Sequence, residues 1–110
     1  MAKARSDHLH GTLELLILKL LEAVPMNGYA IGVRIEELTD DVLSVEEGSL
    51  YPALYRMERR GWLKAQWGKT DNNRRAKFYR LSRSGRVRLQ KETAEWSSFT
   101  SAVEKILGSA

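Results

Sequence analysis

Along this chain, large apolar residues recur every three or four positions except in one stretch near the middle, where they recur every second position. Leu13, Leu16, Ile17, Leu20, Leu21 and Val24 have helical spacing, with Thr12 placed to cap the start and Pro25 just past the end. Leu15 and Leu18 fall off that stripe, so the helix is apolar on more than one side and needs partners on two faces, one of them a second subunit. Pro25-Met26-Asn27-Gly28 predicts a turn, with Asn27 capping a second helix that ends near Leu38 and buries Ala30, Ile31, Ile35 and Leu38. Residues 39–44 break the pattern. A third helix buries Leu50, Leu54 and Met57 and stops at Gly61. Pro52 leaves two starts open for it: near Tyr51, or near Glu47 with the proline tolerated in the early turns.

The alternating stretch runs through Trp62, Leu63, Ala65 and Trp67, pauses over a polar loop at residues 68–76, and resumes at Phe78, Tyr79 and Leu81. It predicts a β-hairpin with strands at 62–67 and 77–81 and a long tip. Ser82 or Ser84 can cap a last helix carrying Val87, Leu89, Trp96, Phe99, Val103, Ile106 and Leu107. From Arg83 to Leu107 that helix would be on the order of 37 Å long, more than a small core can cover, so its far end packs on something else. The pattern is mainly α with one small hairpin, the outline of a winged helix-turn-helix domain.

Charge sharpens this outline. The 110 residues are 43% hydrophobic, enough for one compact domain, and their net charge of +4 is unevenly spread. Residues 1–55 sum to −5, residues 56–91 to +11 and residues 92–110 to −2. The basic third holds thirteen Lys or Arg against Glu58 and Asp71, and it spans the end of the third helix and the whole hairpin. A cationic surface of this kind fits double-stranded DNA. The absence of cysteine removes disulfides, thiolate metal sites and cysteine nucleophiles. Only His8 and His10 could supply imidazole, and the paired carboxylates Asp40-Asp41 and Glu46-Glu47 have no base or nucleophile nearby in sequence, so we expect no metal, cofactor or catalytic set. The apolar run 13–21 is interrupted by Glu14 and Lys19 and falls far short of the ~20 residues that cross a bilayer, which predicts a soluble cytoplasmic protein.

With Leu50, Leu54 and Met57 turned inward, ~100° per residue puts Gly48, Pro52, Tyr55, Arg56 and Arg59 outward, flanked by Ser49 and Tyr51. Small residues at one end let a helix N-terminus approach phosphate or a base edge, and the arginines can fork onto guanine or phosphate. Lys69, Arg74, Arg75 and Lys77 on the hairpin suit phosphate contacts or a minor groove, while Asn72 and Asn73 set turn geometry. The competing readings of the same residues are an ordinary solvated surface, or a docking face for an acidic protein partner. Trp62 and Trp67 read as packing residues. Trp96 reads either as interface filling on the last helix or as the lining of a cavity that takes a flat ligand.

The segments at 25–31, at 48–54 with 57–63, and Trp67 with 74–82 and Gly85 closely resemble the PadR family of transcriptional regulators, and the likeness covers residues 9–89. The short C-terminal part is similar to the family's smaller subgroup. Trp62 departs from it, since Leu or Ile is commoner there. The resemblance implies a homodimeric repressor on a two-fold operator, divided into a flexible arm at 1–8, a winged helix-turn-helix domain at 9–82 and a C-terminal dimerisation helix at 83–108. By position, Tyr29 would touch phosphate, Ser49, Tyr51 and Pro52 would lie at the operator, and Lys77 would contact the backbone from its strand. A dimer of this kind would draw its interface from Leu13, Leu16, Ile17, Leu20, Leu89, Trp96, Phe99, Val103, Ile106 and Leu107. Some members admit small aromatic effectors between the last helices, which gives Trp96 a ligand contact.

Overall fold

The computed structural model describes the backbone of residues 2–109 and the side chains of residues 11–109. In chain order it holds α1 (Ala2–Ala23), β1 (Met26–Asn27), α2 (Gly28–Leu38), α3 (Glu47–Arg59), β2 (Leu63–Lys69), β3 (Arg75–Leu81) and α4 (Arg83–Leu107). The strands form one antiparallel sheet in the order β1-β3-β2. This is the mainly α fold with a small hairpin that the apolar pattern predicts.

The core is built from Leu13, Ile17, Leu18 and Leu21 of α1, Ile31 and Ile35 of α2, and Leu50, Ala53, Leu54 and Met57 of α3. Leu63, Tyr79 and Leu81 of the sheet and Leu89 of α4 close it. Besides the strand β1, which forms where a turn is expected, four details differ from the sequence expectation. First, α1 starts at Ala2, so Thr12 lies inside the helix instead of capping it. The side chains of residues 1–10, including His8, His10 and those of the expected arm, lie outside the described residues. Second, the buried stripe of α1 is rotated: Leu18 is in the core, Leu16 and Leu20 only flank it, and Val24 lies beyond the helix end, half exposed. Third, Ala30 is only half-buried and Leu38 is exposed, so Ile31 and Ile35 are the large apolar residues that α2 gives to the core. Fourth, each hairpin strand extends two residues further toward the tip, with Trp67↔Lys77, Gly68↔Ala76 and Lys69↔Arg75 paired. A ladder needs backbone groups, not apolar side chains, so polar residues join it freely.

Local chemistry explains the element ends. The Asn27 side chain accepts a 2.7 Å bond from the Ala30 N–H, capping α2 as expected. The third helix begins at Glu47 and contains Pro52, which removes one helical bond without displacing the turn. Gly61 at φ +82° follows its C-cap, where the N–H groups of Gly61 and Trp62 donate to the carbonyls of Glu58 and Met57, both at 3.0 Å. The Ser82 hydroxyl caps α4 by accepting from the Gly85 N–H at 3.0 Å. The Ser82 and Ser84 hydroxyls also donate to the Gly61 carbonyl, and the Ser82 N–H donates to the Trp62 carbonyl at 3.0 Å. The end of α3 and the start of α4 are thereby fastened at one point.

Candidate nucleic-acid interface

The sheet register decides which cations face the same way. Leu63, Tyr79 and Leu81 point into the core, so two-residue alternation puts Trp67, Lys77, Lys69 and Arg75 on the same face further out. Lys64 and Arg80 are paired directly across the strands on the opposite face. The first set continues the surface of α3; the second turns away from it.

On α3, Gly48, Tyr51, Pro52, Tyr55 and Arg59 are exposed and Ser49 is half-buried, as the helical spacing requires. Arg59 donates to the Tyr55 hydroxyl at 3.1 Å, and its guanidinium lies 5.7 Å from that ring's centroid. The bond holds the Arg59 pKa above its ordinary value. Arg56 is the exception among the outward residues. Burial of Ala53 shifts the inward face, so Arg56 turns toward α1, where the Glu14 carboxylate lies 3.7 Å from it and 3.6 Å from Arg60. One nitrogen of Arg56, Nη2, is buried with no hydrogen-bond partner among the described residues. Arg56 is therefore directed at the protein instead of outward.

Gly28 places the tyrosines. A Cβ on it would stand 2.5 Å from the Tyr51 ring, so only glycine lets that ring lie across the start of α2. Tyr29 and Tyr51 then line one cleft of about 150 Å³ between α2 and α3. Positions far apart in sequence thus meet at the N-terminal end of α3.

On the hairpin, Arg75 stacks 4.4 Å from the centroid of Trp67, which is 55% exposed and belongs to the surface, not the core. The tip is closed by the Thr70 N–H donating to the Arg74 carbonyl and the Asn73 N–H to the Thr70 carbonyl, both at 2.8 Å, with Asn73 at φ +62°. Asn73 sets the turn, as expected. Arg59, Lys69, Arg74 and Arg75 form no ion pair among the described residues. Lys77 does: its ammonium lies 2.9 Å from the Glu58 carboxylate of α3 and 5.6 Å from the Tyr79 ring. That hydrogen bond holds the Lys77 pKa above its ordinary value.

Three structural residues escape the sequence reading. Glu14 is nearly buried among leucines, and a lone carboxylate in an apolar stripe is the signal that could have exposed it. Glu58 was visible only as an acid in a basic segment. Arg88 stacks on Trp62 at 4.6 Å from one element while Arg60 does so at 5.2 Å from another, a contact that sequence spacing does not encode.

Of the expected interface residues, Leu13, Ile17 and Leu89 fill the protomer's own core, and Leu16 and Leu20 are half-buried at its edge. Leu13, Ile17 and Leu89 are thereby covered within the chain, while Leu16 and Leu20 keep part of their apolar surface open. Trp96, Phe99, Val103, Ile106 and Leu107 on α4 remain exposed. The Trp96 and Phe99 rings, 5.9 Å apart, line a groove of about 320 Å³ between α1 and α4, with Leu15 opposite and Glu14, Arg88 and Glu92 around it.

A helix-turn-helix joined to a hairpin, with exposed cations on both, defines a winged helix protein of the DNA-binding class. The family described as transcriptional regulator PadR-like matches residues 17–91, and the chain belongs to it. It is a DNA-binding transcriptional regulator, not an enzyme. A transcriptional regulator from Clostridium thermocellum is 28% identical, with 90% of this chain and 96% of that one covered at a TM-score of 0.82. A PadR family regulator from Eggerthella lenta is 29% identical over 99% and 94% of the two chains, at 0.76. An uncharacterised protein from Lysinibacillus sphaericus is 27% identical over 91% of this chain and 92% of its own. None of the described helices is long and apolar enough to cross a membrane.

Proposed function

We propose that the protein is a cytoplasmic homodimeric repressor that binds a two-fold operator. The observation that carries this reading is that two elements joined by the Lys77–Glu58 pair both expose side chains that can contact DNA: Tyr51, Tyr55 and Arg59 on α3, and Lys69, Arg74 and Arg75 on the hairpin. In this arrangement the N-terminal half of α3, with Gly48, Ser49, Tyr51 and Pro52, enters the major groove. Tyr29 meets phosphate beside it, and the wing follows the backbone or minor groove. Residues 9–82 form the DNA-binding part and residues 83–108 the dimerisation helix.

The dimer follows from α4, whose Trp96, Phe99, Val103, Ile106 and Leu107 leave an apolar stripe uncovered in the protomer. A flat aromatic effector fits the groove that Trp96 and Phe99 line, and its binding would relieve repression. Sequencing the genomic fragments that the protein retains tests the central claim. The expected motif has two inverted half-sites about one duplex turn apart, ~34–36 Å between centres. Retention of random fragments would defeat the operator claim, and retention of none would favour an acidic protein partner for the basic face.

A further inference from the structure

Glu58 is out of place by two criteria. It stands in the last turn of α3, where the helix dipole disfavours an acid, and it is one of two acids among the thirteen cations of residues 56–91. Its carboxylate and the Lys77 ammonium lie 2.9 Å apart, and each side chain is 33% exposed, so the pair is reachable from the surface that carries Lys69 and Arg75. The bond ties a recognition-helix residue to the middle of the wing.

We infer that Glu58 is a positioning residue that withholds Lys77 from the DNA backbone and fixes the wing against α3, raising discrimination between operator and other DNA. The inference rests on the DNA-binding reading proposed above. An unrestrained Lys77 would add one sequence-independent phosphate contact, and such contacts strengthen binding everywhere without informing on sequence. Held by Glu58, and flanked by the Tyr79 ring, it serves instead as a strut that sets the spacing of the two DNA-facing elements. The remaining wing cations, Lys69, Arg74 and Arg75, form no ion pair among the described residues, and Arg75 stacks on Trp67.

The experiment measures affinity for a scrambled-sequence duplex across potassium chloride concentrations, with full-length wild type, Glu58→Gln, Lys77→Met and the double variant. Glu58→Gln is isosteric and its site is partly exposed; Lys77→Met keeps the acid and removes the cation. Expected is tighter binding by Glu58→Gln with a log–log salt slope steeper by about 0.9, the value of one added phosphate contact. Lys77→Met should keep the wild-type slope, and the double variant should lose the steepening. A slope for Lys77→Met flatter than wild type, an unchanged slope for Glu58→Gln, or a steepening that survives in the double variant overturns the inference while leaving DNA binding intact. Wild type that retains no duplex at low salt overturns the DNA reading itself and the inference with it.

Discussion

Gly85 lies so close beneath Trp62 that a Cβ built on it would stand 2.1 Å from the Trp62 carbonyl oxygen. The same carbonyl accepts the Ser82 N–H, so the backbone of the α3–β2 connection rests directly on the first turn of α4. Gly85→Ala must push backbone apart, since no flexible side chain end is there to yield. A loss of about 1–3 kcal/mol is expected for such overpacking, read as a lowered thermal midpoint. An unchanged midpoint would mean that the two backbones can separate at no cost.

Gly48 is the opposite case. A Cβ there meets nothing within 4 Å, and the residue is helical and exposed. Gly48→Ala should stabilise the fold by about 0.5–1 kcal/mol while weakening operator binding, because the proposed docking brings the added methyl against DNA. Melting and operator affinity measured on one preparation would show the two effects diverge. If affinity holds, this end of α3 is not at the groove.

Replacing Lys69, Arg74 and Arg75 together by glutamine removes three exposed cations that form no ion pair among the described residues. Affinity should fall for all sequences alike, and the salt slope should flatten by about 0.9 for each phosphate that is no longer neutralised. Ser49→Ala or Tyr51→Phe should instead erode the preference for the operator and leave the slope unchanged.

Alkaline titration should destabilise the fold. The Lys77 pKa is raised above its ordinary 10.5 by the bond to Glu58, and burial pushes the Tyr79 phenol above 10.0. In both cases the folded state holds its proton more tightly, so the stabilisation is complete below the unfolded pKa and declines as pH rises through the folded one. Denaturant midpoints should therefore be insensitive to these two groups at neutral pH and drop above roughly pH 10. Tyr79→Phe should blunt the drop.

Ile106 is 75% exposed on α4, so Ile106→Glu removes nothing from the protomer core. Light scattering should report half the wild-type mass, and affinity for a two-half-site operator should collapse toward that for a single half-site. A variant of unchanged mass would overturn the proposed dimer contact through α4.

The helices were legible because their signals are local. Asn27, Gly61 and Ser82 satisfy orphan backbone groups within a few residues, and their side chains or φ angles mark the element ends directly. The two-residue strand β1 was not legible, since Met26 and Asn27 carry no periodicity and pair with Tyr79 and Phe78, some fifty positions away. Likewise the first helix shows too many leucines to reveal its inward direction. Only the packed neighbours select Leu18 over Leu16 and Leu20.

Sequence by itself determined the order of the helices and the hairpin, the place of the basic segment and the outward exposure of Tyr51, Tyr55 and Arg59, all of which follow from patterns along the chain. Tertiary structure alone decided which charges are free to act. Arg56 and Arg60 turn to Glu14, Lys77 to Glu58, and Lys64 and Arg80 to the far face of the hairpin, leaving Arg59, Lys69, Arg74 and Arg75 as the outward cations of α3 and the hairpin. The physical reason is distance: an ion pair forms where two side chains come within a few ångströms, and for residues on different elements the fold sets that separation.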